Sequence, residues 1–344
     1  MIKLCRIFAL IAFWGMIASS CSKEKVEPIG YQGVPLVILD ADLGSSTDDL
    51  FALEMLYRYQ EQGRCKLLGV VVDRMGENNA AIADVMNTYF GHGDIPIGLE
   101  RNGVQNPMVW IDYSELPNYR NSDGSLMFER TLNDYNAVPD GWKLYRRLLA
   151  QQPDRSVSIV SVGFVTALAH LLESQGDEYS ELNGVELVRR KVRSAYVMGG
   201  VFGDAAEPDY NFTQAINYSL TFFRLWPKEV KLYFSPGEVG DAIEYTPEQV
   251  IEDISWTDVH PIKQVYMRCD CNTGQKMWDP LAVIHAVLGN PLFDLSGRGT
   301  VELTPDGRTL FTPSSDGNCR YQLPGDSLWV ESMLWRVRKA NMGL

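Results

Sequence analysis

Short apolar runs that stop abruptly at Asp, Asn or Gly recur along this chain, and between them lie segments whose apolar residues return every three to four positions. The first run, Val34 to Leu39, ends in Asp40-Ala-Asp42 and leads into a helix-periodic segment from about Asp48 to Gln62. The second, Lys66 to Val72, ends in Asp73 and precedes a helical pattern over Ala80 to Tyr89. Strand, helix and strand in such close succession predict a parallel βαβ unit. Ile95 to Gly98 predicts a further short strand, Gly141 to Ala150 an amphipathic helix, and Val157 to Thr166 a strand with a glycine turn into a helix over Ala167 to Ser174. Val192 to Met198 ends at the paired glycines 199 and 200. An acidic segment, Asp204 to Asn211, then leads to a helix near Asn217 to Trp226 and a strand at Val230 to Phe234.

This alternation predicts an α/β fold: an open, mostly parallel, Rossmann-like sheet with helices on both faces, whose ligands gather outside the carboxyl ends of the strands. Residues 99 to 135 break the rhythm with Asn, Tyr, Pro and Ser, and with Trp110, Tyr113 and Tyr119 among them. A long polar-aromatic loop in such a domain is either a lid over a ligand or a surface excursion. In the last third, helices are expected over Pro261 to Arg268, Pro280 to Leu288 and Ser327 to Asn341, and Pro305-Asp-Gly307 predicts a hairpin between Val301 to Leu303 and Thr309 to Phe311.

Composition adds boundaries. With 344 residues, 45% hydrophobic and 22% charged, the chain can bury a sizeable core, and a net charge of -13 without a long Lys/Arg cluster excludes nucleic acid as an expected partner. Residues 1–20 read as a leader: a basic start, an apolar core from Ile7 to Ala18 too short to span a bilayer, and small residues before Cys21. This resembles a bacterial lipoprotein signal with Cys21 as the lipidated residue, although Ala18 and Ser20 depart from the common pattern. An ordinary signal peptide cleaved nearby is the alternative, and both predict export. Residues 21–33 read as a tether, and 34–344 as the folded domain. Cys269-x-Cys271 lacks a partner pair at zinc-like spacing.

The chemistry concentrates at the first strand's end. Asp40, Asp42, Asp48 and Asp49 surround a turn at Gly44, and four carboxylates there repel one another unless protons or a cation neutralise them. The residues therefore predict a hard cation held by oxygen ligands. The competing reading is a polar loop in which Ser46, Thr47 or Asp48 merely caps the next helix, which accounts for one carboxylate and not four.

With this cluster go Val162-Gly163 followed by Thr166, Met198-Gly-Gly200, Asp209-Tyr-Asn211 and Trp278-Asp279-Pro280. In their order and spacing the chain resembles the inosine-uridine nucleoside hydrolase family, calcium-dependent N-ribohydrolases, from about residue 35 to beyond residue 320. The family's D-x-D-P-G-x-D-D appears here with two extra residues before the final aspartate pair, a form associated with a divergent, secreted bacterial branch. The resemblance implies that Asp42, Asp49 and Asp279 bind Ca2+ through carboxylates and Val162 through its carbonyl. It implies that Asp48, Asp209 and Asn211 hold ribose hydroxyls together with Asn78 or Asn79, between which the sequence does not choose. Asp40 would support the loop. Asp42, touching both ion and water, would take the water's proton, as a reaction through an oxocarbenium-like state requires.

Trp278 stands where many members carry a histidine acid. It would stack on a nucleobase, or else sit in the core. None of His92, His170, His260 and His285 is an evident replacement, whereas Arg74 or a tyrosine of the 99–135 loop is a candidate. The expected partner is a small nucleoside or riboside, the expected location the membrane-anchored exterior or periplasm, and the sequence leaves homo-oligomer formation open. Two other readings compete. One is a surface lipoprotein of the same fold that binds a riboside without cleaving it. The other is a haloacid-dehalogenase-type phosphatase with Asp40 as nucleophile, which leaves Asp48, Asp49 and Asp279 unexplained.

Overall fold

The computed structural model describes residues 31–104, 107–203 and 207–344; the leader, most of the tether, Cys21 and the start of the acidic segment at Asp204 lie outside the described residues. Among the described residues eleven strands follow one another: β1 (Leu36–Ala41), β2 (Lys66–Arg74), β3 (Ile97–Val104), β4 (Val157–Ser161), β5 (Val192–Met198), β6 (Lys231–Ser235), β7 (Glu244–Tyr245), β8 (Gln275–Lys276), β9 (Gly299–Leu303), β10 (Thr309–Pro313) and β11 (Cys319–Tyr321). Nine of them form one sheet in the order β10-β9-β11-β6-β5-β4-β1-β2-β3, and β7 pairs with β8. From β11 across to β3 every pairing is parallel, while β9 runs antiparallel to both its neighbours.

Each central strand is buried on both faces, which is why it reads as an uninterrupted apolar run. Val37, Leu39 and Ala41 of β1 join one core with the helices Asp48–Glu61, Glu77–Tyr89 and Trp278–Leu288. Leu36 and Ile38, one position out of phase, join the other with the helices Gly141–Ala150, Thr166–Glu173 and Ile216–Leu225. Burying each of these aliphatic side chains contributes about 1.5–3 kcal/mol, so the two layers hold the sheet from both sides.

The chain leaves β1 toward β2 and β3 on one side and returns to place β4, β5 and β6 on the other. The topological switch therefore falls between β1 and β4, paired from Leu36↔Val157 to Asp40↔Ser161. Open α/β sheets bind ligands at that point, beyond the strands' carboxyl ends. Here it lies between the Asp40–Asp49 turn and Val162-Gly163.

Several elements differ from the sequence expectation. β3 continues to Val104, so the irregular segment starts later, and it contains short 3-10 turns at Leu116–Asn118 and Tyr135–Ala137. The helix Gly184–Lys191, with its Asn183/Glu186 capping box, was not expected, because its few apolar positions give only a short periodic signal. β11 is three residues long and becomes a strand by lying between β6 and β9. The expected hairpin is present as β9 and β10, with Gly307 at φ 88 in its turn.

Candidate active site

The turn after β1 carries two unusual backbone conformations. Gly44 has φ 117, and Ser46, in the two-residue insertion, has φ 64, a left-handed conformation that a side chain seldom adopts. A Cβ on Gly44 would collide with the Asn79 amide oxygen, so only glycine allows this approach. Thr47 stands at the N-cap of the helix Asp48–Glu61, yet its side chain does not cap it. It meets Tyr266 Oη at 3.0 Å and Gln275 Oε1 at 3.3 Å instead, and Gln275 Nε2 donates to Asp48 Oδ1 at 3.2 Å. The capping reading thus fails for Thr47, and a residue from β8 holds the turn.

Asp48, Asp49 and Asp279 each bring a carboxylate oxygen within 4.8 Å of the others, although Asp279 is on the distant helix Trp278–Leu288. Asp42 adjoins this group. Burial, then the Asp48 charge, pushes its pKa up to about 7, and burial raises Asp48 to about 6. Burial followed by neighbouring aspartates raises Asp49 and Asp279 well above the usual carboxylate range. Asp49 Oδ1 is buried without a hydrogen-bond partner. The buried Arg74 guanidinium offsets only part of this charge, and the spacing suits a further cation: ligands of a calcium ion sit about 2.3–2.6 Å from it, so two of them lie no more than about 5 Å apart. The residues present therefore fit a hard divalent ion.

Asp42 packs against β4's turn. A Cβ on Gly163 would stand 2.8 Å from Asp42 Oδ1 and 2.5 Å from Asp42 N. Gly163→Ala is accordingly expected to displace Asp42 and weaken the binding of any divalent cation there about tenfold or more, measured by calorimetric titration, with the fold retained. The Val162 carbonyl accepts from Asn211 Nδ2 at 3.0 Å, which leaves its second lone pair free.

Asp42, Asp48, Asp49, Asp209, Asn211, Val162, Trp278 and Asp279 all line one cavity of about 220 Å³, so the structure brings together most of the residues singled out in the sequence. Asp209 caps the short helix Tyr210–Thr213 by accepting from Phe212 N, and burial raises it to about 6. The two asparagines after β2 part company. Asn79 is buried against the Gly44 turn, its Oδ1 unpartnered, whereas Asn78 is exposed and donates to Glu115. Neither lines the cavity. Trp278 does; its Nε1 donates to Asp241 Oδ1 at 3.0 Å.

The 99–135 segment closes part of the mouth. Tyr113 N donates to Gly44 O, Ser46 N to Ile111 O, and Tyr210 Oη to Met108 O at 2.7 Å. Trp110, 57% exposed, thereby faces the cavity while touching Tyr210, with ring centroids 4.5 Å apart.

None of the four histidines lines the cavity. His285 is buried between Asn290 and Gln322, where desolvation lowers it to about 4, and His260 is enclosed by aromatic rings. His170 pairs with Glu100 at 3.0 Å, and His92 stacks on Tyr57. Asp40 is fully buried, accepts from Tyr145 Oη at 2.7 Å and does not line the cavity, so it is no nucleophile for a phosphate. Its other neighbour is Asp73. Burial and the Asp40 charge hold Asp73 well above its ordinary value beneath the site. Asp73, Tyr145, Gln275 and Asp241 escaped sequence reading. Asp73 alone had a signal, as an acid ending β2 the way Asp40 ends β1.

No family model matches the sequence, and no curated protein does. Solved structures match closely in shape. An inosine-uridine preferring nucleoside hydrolase from Bacillus anthracis is 15% identical, with a TM-score of 0.64 over 89% of this chain and 100% of that one. A plant nucleoside hydrolase is 15% identical, TM-score 0.64, over 90% and 99%. The type III effector protein XopQ, solved in complex with adenosine diphosphate ribose, is 16% identical, TM-score 0.66, over 91% and 95%. The chain is thus built on the α/β fold shared by these nucleoside hydrolases.

Proposed function

We propose that the protein is an exported, lipid-anchored, calcium-dependent N-ribohydrolase that cleaves the glycosidic bond of a nucleoside or related riboside. The observation that carries this reading is the meeting of Asp49 and Asp279 with Asp48, beside Asp42, on the floor of a cavity walled by Asp209, Asn211, Trp110 and Trp278. Asp42, Asp49, Asp279 and the Val162 carbonyl would hold the ion. Asp48, rather than Asp42, completes the set of oxygens lying within 4.8 Å of one another; we nevertheless assign it to ribose because Gln275 already occupies one of its oxygens and the other can face the cavity. When bound, calcium supplies charge that orients water and makes it more acidic.

The remaining chemistry belongs to the chain's own side chains. Asp42, at the cavity floor beside the proposed ion, is placed to accept a proton from water. Asp48 and Asp209 offer carboxylate acceptors to ribose hydroxyls and Asn211 its Oδ1, since the Asn211 amide nitrogen already donates to Val162 O and Met198 O, while Asn79 supports the turn from behind. The surrounding carboxylates favour positive charge developing on the sugar. The Trp278 indole cannot protonate a departing base, but with Trp110 it gives the base an aromatic surface. Trp278→Ala is expected to lower kcat/KM about tenfold to a hundredfold, the usual worth of a base–aromatic stack, and Trp278→Phe to restore most of it. Equal loss in both variants would remove stacking from the account.

One observation favours a second reading, riboside binding without turnover: the Trp278 position offers no acid. Assaying a panel of nucleosides for free base, with and without a chelator, separates the two. Chelator-sensitive base release supports hydrolysis. Calcium-dependent stabilisation with no cleavage of any member supports binding alone.

A further inference from the structure

The parallel strands all start at the edge of the sheet opposite the cavity, and that edge is basic although the chain carries a net charge of -13. Six exposed cations, Arg64, Lys66, Arg155, Arg193, Lys228 and Lys231, stand in the turns that enter β2, β4, β5 and β6 or on the first residues of those strands. None of the six forms an ion pair among the described residues. Of the acids in the same turns, Asp154 is taken by Arg190 and Lys191, at 3.0 and 2.9 Å, and Glu229 by Arg189 at 3.3 Å; Asp94 and Asp316 remain. Helix dipoles favour cations in last helical turns, which accounts for Arg189 to Lys191. They do not account for Lys66, Arg193 or Lys231, which lie on strands.

The same edge holds a cavity of about 90 Å³ where the end of the helix Asp48–Glu61 meets the end of the helix Ser327–Asn341, lined by Arg58, Arg64, Arg336 and Lys339. Arg58 is paired with Glu54 and Glu61, but Arg64, Arg336 and Lys339 have no acidic partner, and Arg336 Nε is buried without a hydrogen bond. Unsatisfied guanidinium donors around a small cavity suit a phosphate group. Tyr31 to Pro35 enter β1 at this edge, and Lys66 N donates to Pro35 O at 2.8 Å. Tyr31, the first described residue of the chain, therefore lies on the basic side, away from the acidic mouth.

We infer that this basic edge docks on a membrane surface bearing acidic phospholipid, seating a headgroup phosphate among Arg64, Arg336 and Lys339 and turning the cavity mouth away from the bilayer. The orientation draws on the proposed export and acylation at Cys21; the lipid contact itself does not.

The test uses the chain from residue 21 onward with Cys21→Ser, which retains every described element and carries no acyl group. Co-sedimentation with phosphatidylcholine vesicles is compared with and without phosphatidylglycerol. Binding is expected only where phosphatidylglycerol is present, and is expected to be largely lost at about 1 M salt, where the screening length falls to about 3 Å. The triple variant Lys66→Glu, Arg193→Glu, Lys231→Glu should bind about tenfold more weakly or worse. A variant with the same change in charge elsewhere, Arg120→Glu, Arg130→Glu, Lys143→Glu, should retain binding. Equal binding to both vesicle types, equal loss in both triple variants, or binding to a soluble polyanion but not to vesicles would overturn the inference. Acylation at Cys21 is read separately, from the mass of the exported wild-type chain, so a missing anchor and a non-binding edge give different results.

Discussion

Asp42→Asn is expected to reduce base release by about two to four orders of magnitude, the range by which a positioned general base accelerates proton transfer. Two features of the site support so large an effect. Asp42 lines the cavity floor beside the proposed ion, and although burial and the neighbouring Asp48 charge raise its carboxyl to about 7 in the metal-free protein, a bound cation would keep it ionised and able to accept a proton. Asparagine preserves the shape that packs against Gly163, so the loss cannot be assigned to collapse of the turn. Steady-state kinetics on whichever nucleoside the panel identifies, with calcium titrated by calorimetry in parallel, separates two roles. Lost turnover with retained calcium affinity marks Asp42 as the proton acceptor, and loss of both marks it as a ligand first. Full activity in the variant would remove it from the chemistry.

Calcium is expected to stabilise the fold more at pH 8 than at pH 5. In the metal-free protein the folded-state pKa of Asp42, about 7, and of Asp48, about 6, both exceed the unfolded value of 3.8, and those of Asp49 and Asp279 are raised as well. A group whose folded pKa is raised binds its proton more tightly when folded. Its contribution is therefore complete below about pH 4 and is lost as pH rises through its folded pKa. Calcium takes the protons' place on the same oxygens, so its effect grows as they leave. At about a hundred times its dissociation constant it would add about 2.7 kcal/mol, a shift of several degrees in Tm. Thermal melts at the two pH values, with calcium and with chelator, check this. A calcium effect that stays flat or shrinks with rising pH would mean that these carboxylates do not hold the ion.

The strand-and-helix order was largely legible, because central strands buried on both faces cannot avoid long apolar runs and their flanking helices cannot avoid a periodic one. Asp42 and Asp49 were legible as candidates for a related reason. They flank the polar turn between the first apolar run and the periodic segment after it, and a cluster of acids at such a turn is visible without knowing which strands are neighbours. Val162 and Asp279 were legible only through the family resemblance. Asn78 and Asn79 could not be told apart, since adjacent residues at the start of a helix point about a quarter-turn or more from each other, and only the packing of Asn79 beneath Gly44 distinguishes them.

The four-carboxylate turn, its need for positive charge and the α/β alternation around it belong to the sequence alone, because all three follow from residues close along the chain. Which carboxylates share one centre was decided by tertiary structure. Asp279 reaches Asp48 and Asp49 from more than two hundred residues away, Gln275 comes from β8 to hold Thr47 and Asp48, and Asp73 rather than solvent lies against Asp40. The basic edge has the same origin. Its cations are scattered singly or in short groups along the sequence, and they form one surface only because parallel strands start on the same side of their sheet.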